Sequence, residues 1–298
     1  MSENRGRMFL DSGAFSLYVE HVRKRKQNLD VGTDYEYAYY DTSDFWAYVD
    51  QYARFVQDHI DVIDYYTTVD VIYNAEKTWE VQQYLEQEHG LRPIPVIHCG
   101  ADMAWVRHYV ERDYTYVGIG GYAAGMGKPT MLGWTTRLFQ EICPAPDYLP
   151  CVGLHGFAMT NYEMLWRYPW KSVDSATWAK LGAYGNIMVP HKRRGTFVFD
   201  EDPYVISVSQ SASALKMPGK HYKTLASGER TVVAEWLERI GIPFGETAAD
   251  GSVIEPGVCN RYAERKIANL LFFEQLRASL PDWPWSFRIK KKGGLGLT

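Results

Sequence analysis

Short apolar runs that end in a charged residue, a histidine or a glycine recur through the first two thirds of the chain. MFLDSG (8–13), VIDYYTTVD (62–70), PIPVIHCG (93–100), TYVGIGG (115–121), LPCVGLHG (149–156) and KSVDSATW (171–178) are such runs. Between them lie stretches with helical spacing, such as FWAYVDQYARFVQDHI (45–60), AEKTWEVQQYLEQEHG (75–90) and MAWVRHYVERD (103–113). Alternation at this pitch predicts parallel βα units. Polar and glycine residues at the strand ends predict a site at the C-terminal edge of the sheet, as in a TIM-type (β/α)8 barrel. An open doubly wound sheet is the alternative. GNIMVP (185–190) reads as one more strand. From residue 191 the pattern loosens into a C-terminal helical extension, whose strongest helix, 260–280, presents Ile267, Leu270, Leu271, Phe273 and Leu276 on its apolar side. One domain is expected over 1–298, with a barrel core over about 7–190.

A chain of 298 residues is long enough to bury a barrel-sized core. The net charge of -4 argues against an evenly basic nucleic-acid binder and permits local basic patches. His191, Lys192, Arg193 and Arg194 form one such cluster, and Arg288, Lys290, Lys291 and Lys292 another, and either offers phosphate contacts or a solvated face. Cys99, Cys143, Cys151 and Cys259 lack ligand spacing, which predicts reduced thiols and no structural zinc. No nucleotide-binding glycine loop is visible, so no cofactor is expected. The segment MSENRGRMFL lacks the apolar core of a secretory signal and no run reaches membrane-spanning length. A cytoplasmic protein is therefore expected.

The strand ends carry the candidate chemistry. Asp11 directly follows an apolar run, where a charge is costly unless it is paired or used, and Gly13 allows a sharp turn beside it. A local Asx turn is the plain alternative. Asp70 also reads as a loop cap, His98 as a satisfied strand-end histidine, Gly120 and Gly121 as a tight turn, and Asp174 as a helix N-cap.

In order and approximate spacing, the series LDSGAFS, TTVDVIYNAE, PVIHCG, VGIGGYAAG, VGLHGFAMT and SVDSATW resembles the tRNA-guanine transglycosylase superfamily over residues 8 to about 180. That family has a DSGGFQ-type motif, a later buried aspartate, a polar strand end, an IGG motif, a glycine turn and a late aspartate nucleophile. The tRNA enzymes add a zinc module of three cysteines and a histidine. Only Cys259 stands in that region here, so the chain looks most like the DNA 7-deazaguanine transglycosylases (DpdA-like) of phages and bacteria.

The resemblance implies Asp174 as nucleophile and Asp11 as general acid/base. It implies base binding by Ser12, Asp70, Gly120 and Gly121, with His155 and Gly156 forming a pocket wall. His98 stands where the tRNA enzymes have glutamine. The implied activity is exchange of guanine in DNA for a 7-deazaguanine base such as 7-cyano-7-deazaguanine (preQ0), in the cytoplasm, the host's if the gene is carried by a phage. Two carboxylates suit base exchange at a glycosidic bond, one forming the sugar adduct and one moving protons. A tRNA-guanine transglycosylase lacking zinc and an inactive nucleic-acid-binding barrel are the alternatives. Homodimerisation, common in the tRNA enzymes, stays open.

Overall fold

Residues 7–23, 38–122, 127–146, 148–212 and 219–280 are described by the computed structural model. The basic residues Arg288, Lys290, Lys291 and Lys292 lie outside the described residues. The described chain is a mixed α/β protein and divides into two compact units. Among the described residues, one comprises those up to 159 and 169–174, the other 160–168 and those from 175 to 280. The division thus falls before residue 190.

The first unit begins with β1 (Phe9–Leu10), a helical turn α1 (Ala14–Leu17) and helix α2 (Ser43–Asp58). Strand β2 (Tyr65–Tyr66), helix α3 (Ala75–Gln87), β3 (Val96–His98), α4 (Met103–Val110), β4 (Tyr116–Gly120), α5 (Lys128–Ile142), β5 (Gly153–Gly156) and β6 (Ser172–Val173) follow. The strands pair in parallel in chain order. β1 joins β2, a single bridge from Thr67 to Ile94 leads on to β3, and β3-β4-β5-β6 form one sheet.

This array is strongly curled. In a flat sheet, β1 and β5 would stand about 19 Å apart, four strand spacings of ~4.8 Å. Instead the Phe9 and His155 rings stack with centroids 4.3 Å apart. Phe9 also meets Tyr116 of β4 edge-on at 6.3 Å.

Local sequence explains the helices around it. Thr42 caps α2 by accepting from the Phe45 N–H at 3.3 Å, and Asn74 caps α3 by accepting from the Lys77 N–H at 2.9 Å. α2 buries Phe45, Val49, Tyr52, Ala53 and Val56, and α3 buries Thr78, Val81, Gln82 and Leu85. These faces meet Val69 and Val71 in one core, where each fully buried large aliphatic contributes about 1.5–3 kcal/mol.

The second unit holds α6 (Tyr162–Arg167), α7 (Thr177–Ala183), β7 (Asn186–Val189), the β8–β9 hairpin (His191–Arg193, Thr196–Val198), β10 (Tyr204–Ser207), α8 (Ser227–Ile240), the β11–β12 pair (Glu246–Thr247, Val253–Glu255) and α9 (Tyr262–Ser279). It is mixed rather than helical. The GNIMVP strand, β7, pairs antiparallel with β10, the partner its own unit supplies.

The apolar side expected for α9 is misphased. Ile267 and Leu270 are exposed, whereas Arg265, Ala268, Asn269, Phe272 and Leu276 are buried. The two polar residues of that face satisfy stray backbone groups. Arg265 Nε donates to the Gly182 carbonyl (2.7 Å) and Nη1 to Val258 (2.9 Å), while Asn269 Oδ1 accepts from the Met188 N–H (2.7 Å).

Candidate active site

Side chains alternate across a strand, and one face of the curled sheet carries Phe9 and Asp11, Tyr65, His98, Tyr116, His155 and Phe157, and Ser172 and Asp174. Two glycines on that face make room. A Cβ on Gly118 would stand 2.6 Å from Phe157 Cε2, and one on Gly120 would stand 3.1 Å from His98 Cδ2. The result is a recess of about 400 Å³ lined by Arg7, Phe9, Asp11, Tyr65, Tyr116, His155, Phe157, Lys171, Ser172, Val173 and Asp174. Asp11, His155 and Asp174 therefore come together, and Asp70 is not among the lining residues. Asp70, His98, Gly120 and Gly121 form a second group behind Asp11.

Two tyrosines of α2 hold the loops that carry the first two aspartates. Tyr48 Oη donates to the Ser12 carbonyl and Tyr52 Oη to the Thr67 carbonyl, both at 2.6 Å. Being four residues apart, they project from one helix face. Gly13 passes under Tyr48 with φ of 76°, and a Cβ there would stand 2.8 Å from the phenol oxygen. The Ser12 N–H donates to Thr67 Oγ1 at 3.2 Å, tying the two loops together. Ser12 Oγ is buried with no hydrogen-bond partner among the described residues.

The environments of the two carboxyls differ. Asp11 is open to the recess but enclosed on its other sides. Desolvation, then the charge of Asp70 and more weakly that of Asp174, pushes its carboxyl above the ordinary carboxylate range. For Asp174, enclosure acts in the raising direction. It is outweighed by the contact from His155 and the Ala158 N–H, which donates to Oδ1 at 2.9 Å, so the carboxyl is held below the usual range. Asp174 does not cap α7; Ser175 Oγ does that work, accepting from the Thr177 N–H at 3.0 Å. The Asp174 N–H donates to the Gly156 carbonyl at 3.2 Å, so Gly156 anchors Asp174 by its backbone and is not one of the residues lining the recess.

A directed chain ends on Asp174. Tyr116 Oη bonds Ser172 Oγ, Ser172 Oγ lies 2.5 Å from His155 Nδ1, and His155 Nε2 stands 3.4 Å from Asp174 Oδ1. The last contact falls short of a full hydrogen bond and is chiefly electrostatic. A carboxylate only accepts, so the hydrogen facing it belongs on Nε2. Nδ1 then accepts from Ser172, whose oxygen accepts from Tyr116. Burial pushes the Tyr116 phenol up, keeping it a donor.

Behind Asp11, His98 Nε2 donates to Asp70 Oδ2 at 2.9 Å, and both residues are buried. His98 is thus satisfied by the very aspartate it accompanies. Thr78 Oγ1 accepts from the Val71 N–H (2.9 Å) and donates to the Asn74 carbonyl (2.8 Å), pinning the turn after Asp70. Gly121 has φ of 84°, and its carbonyl lies 3.5 Å from Tyr73 Oη, whose ring stands 5.6 Å from that of His98.

The basic cluster of the second unit does not present itself as predicted. Lys192 pairs with Glu235 and Arg193 with Asp200, with Glu201 3.3 Å away. Only Arg194, at the hairpin tip with φ of 50°, keeps the expected form. Sequence reasoning missed Tyr48, Tyr52, Tyr116 and Ser172, and also Arg7 and Lys171. The period-two alternation of Arg7-Phe9-Asp11 and Ser172-Asp174 was the available signal for two of them, Arg7 and Ser172. No group of three or more His, Cys, Asp or Glu among the described residues could hold a metal ion. No helix among them is long and apolar enough to cross a membrane. Comparisons with family models, curated proteins and solved structures return no match.

Proposed function

We propose that the protein is a base-exchanging transglycosylase that replaces guanine in DNA with a 7-deazaguanine through a covalent aspartyl-sugar intermediate. The observation that carries this reading is the pair of carboxyls in one recess whose environments push their proton affinities apart. Such a split assigns the acid and the nucleophile.

Asp174, ionised and held at Oδ1, attacks C1′ with Oδ2 while the C1′–N9 bond breaks. Asp11, which retains its proton to higher pH, gives that proton to the departing guanine. The resulting Asp11 carboxylate takes the N9 proton of the incoming 7-deazaguanine as that nitrogen attacks C1′. Asp174 leaves as a carboxylate, and two inversions restore the original configuration. Asp70 accepts from the purine's N1–H and 2-amino edge through the oxygen His98 leaves free, and Gly120 and Gly121 admit the base close to the backbone. His98 acts here by orienting Asp70.

The curled run of six parallel strands supports a TIM-type (β/α)8 barrel as the scaffold, with the site at the strand ends. Since C1′ is shielded in stacked duplex, the target nucleotide is either extruded or taken from single-stranded DNA.

The test is incubation with labelled guanine and either DNA or tRNA, with adduct trapping on a denaturing gel. Label is expected in DNA, with an adduct that Asp174→Asn abolishes. Label entering only tRNA identifies a tRNA-guanine transglycosylase lacking zinc. No label in either leaves the inactive binding barrel.

A further inference from the structure

Two cations at the recess have no carboxylate partner among the described residues. Arg7 Nη1 donates to Tyr65 Oη at 3.0 Å, and Lys171 Nζ sits 4.3 Å from the centre of the Tyr116 ring. The two tyrosines meet edge-to-face, with centroids 5.5 Å apart at 83°. Each cation is thus carried by one half of a two-tyrosine floor.

Lys171 is also seated by the strand beside it. A Cβ on Gly153 would stand 2.4 Å from Lys171 Cδ, so the lysine stem lies where that glycine has no side chain. By contrast, Lys192 is paired with Glu235, Arg193 with Asp200 and Glu201, and Lys77 with Asp41 and Glu80. A cation held over an aromatic ring and left without a counter-charge, beside a catalytic carboxylate, is suited to an anionic group of the substrate.

We infer that Arg7 and Lys171 form the phosphate-binding subsite, gripping the backbone phosphates that flank the nucleotide whose C1′ faces Asp174. This deepens the transglycosylase reading and rests on it for the position of the sugar. The Tyr65–Tyr116 floor gives the sugar an apolar seat, and Asp11 and Asp174 take the base side of the same recess. Sequence-independent phosphate contacts of this kind set register and carry no base information.

The experiment measures binding of a guanine-containing single-stranded DNA oligonucleotide by fluorescence anisotropy over a range of salt concentrations. Each phosphate contact contributes about 0.7 to the slope of log affinity against log salt for single strands. Arg7→Gln and Lys171→Gln should each flatten the slope by about 0.7, and the double variant by about twice that. The charge-retaining Arg7→Lys and Lys171→Arg should keep the wild-type slope, which separates loss of charge from loss of folding. Arg193→Gln, removing a cation already paired, should leave the slope unchanged.

A wild-type slope in both glutamine variants overturns the inference, as does a wild-type protein whose DNA binding does not depend on salt. Guanine exchange in the same samples separates the two readings. Retained exchange with an unchanged slope sinks only the phosphate subsite. A flattened slope with no exchange by the wild type sinks only the transglycosylase.

Discussion

Replacing His155 with phenylalanine tests what holds Asp174 ionised. The substitution keeps an aromatic ring where the imidazole stacks on Phe9 at 4.3 Å and stands edge-on to Phe157 at 4.6 Å. It removes Nε2, 3.4 Å from Asp174 Oδ1, and Nδ1, which faces Ser172. Ser172 retains Tyr116, and Oδ1 retains the Ala158 N–H at 2.9 Å. A contact to a charged group is worth up to ~3 kcal/mol. This one is long, and the Asp174 side chain is 58 % exposed, so water screens it. About 0.5–1 kcal/mol is the reasonable loss, or about 0.4–0.7 of a pH unit. The sign follows from which form is stabilised: removing a donor to the carboxylate raises its pKa. The acid limb of adduct formation should therefore move to higher pH by that amount, with the plateau rate little changed. Carbon NMR of the Asp174 carboxyl should titrate with the same shift, independent of turnover. An acid limb that stays in place or moves to lower pH refutes the reasoning.

Asp11→Asn should slow exchange by about 10²–10⁴-fold yet stabilise the fold near neutral pH. The raised pKa means the folded state holds its proton more tightly, so stability falls as pH climbs from the ordinary value of 3.8 through the raised one; the variant lacks that loss. Urea midpoints at neutral pH and below 3.8 should show a gain only at the former. Tyr52→Phe should cost about 1–3 kcal/mol in urea unfolding, because the Thr67 carbonyl loses its buried donor. Gly13→Ala should lower both stability and exchange, since φ of 76° costs alanine about 1–2 kcal/mol before the clash with Tyr48. Adding Tyr48→Phe should return part of the loss, and strict additivity in that cycle would show that the two residues do not touch.

The parallel strands alternating with helices were legible because local patterns determine them: apolar runs and helical spacing. Asp11, His155 and Asp174 were legible as strand-end residues, which parallel topology must gather on one edge. The hydroxyls of Tyr48 and Tyr52 were not. At helical spacing a tyrosine reads as part of an apolar face, and only the packed structure reveals which carbonyl its oxygen reaches. The α9 face failed for the complementary reason. Arg265 and Asn269 look solvent-bound in sequence, yet carbonyls at Gly182, Val258 and Trp178 draw them inward.

The basic run HKRRG shows how charge patterning misleads. Its signal is local, whereas its neutralisation is not, since Glu235 lies 43 residues from Lys192. The cations at the recess are single residues, Arg7 and Lys171, that no run announces. Arg7 stands four residues before Asp11 and Lys171 three before Asp174, just ahead of β1 and β6, and both line the recess. The same curvature brings the two aspartates into one recess, while their immediate neighbours set them apart. Enclosure and then the charge of Asp70 raise Asp11, and His155 with the Ala158 N–H holds Asp174 low. A flat sheet of this sequence would separate β1 from β5 by about 19 Å, leaving the acid and the nucleophile without a common sugar to act on.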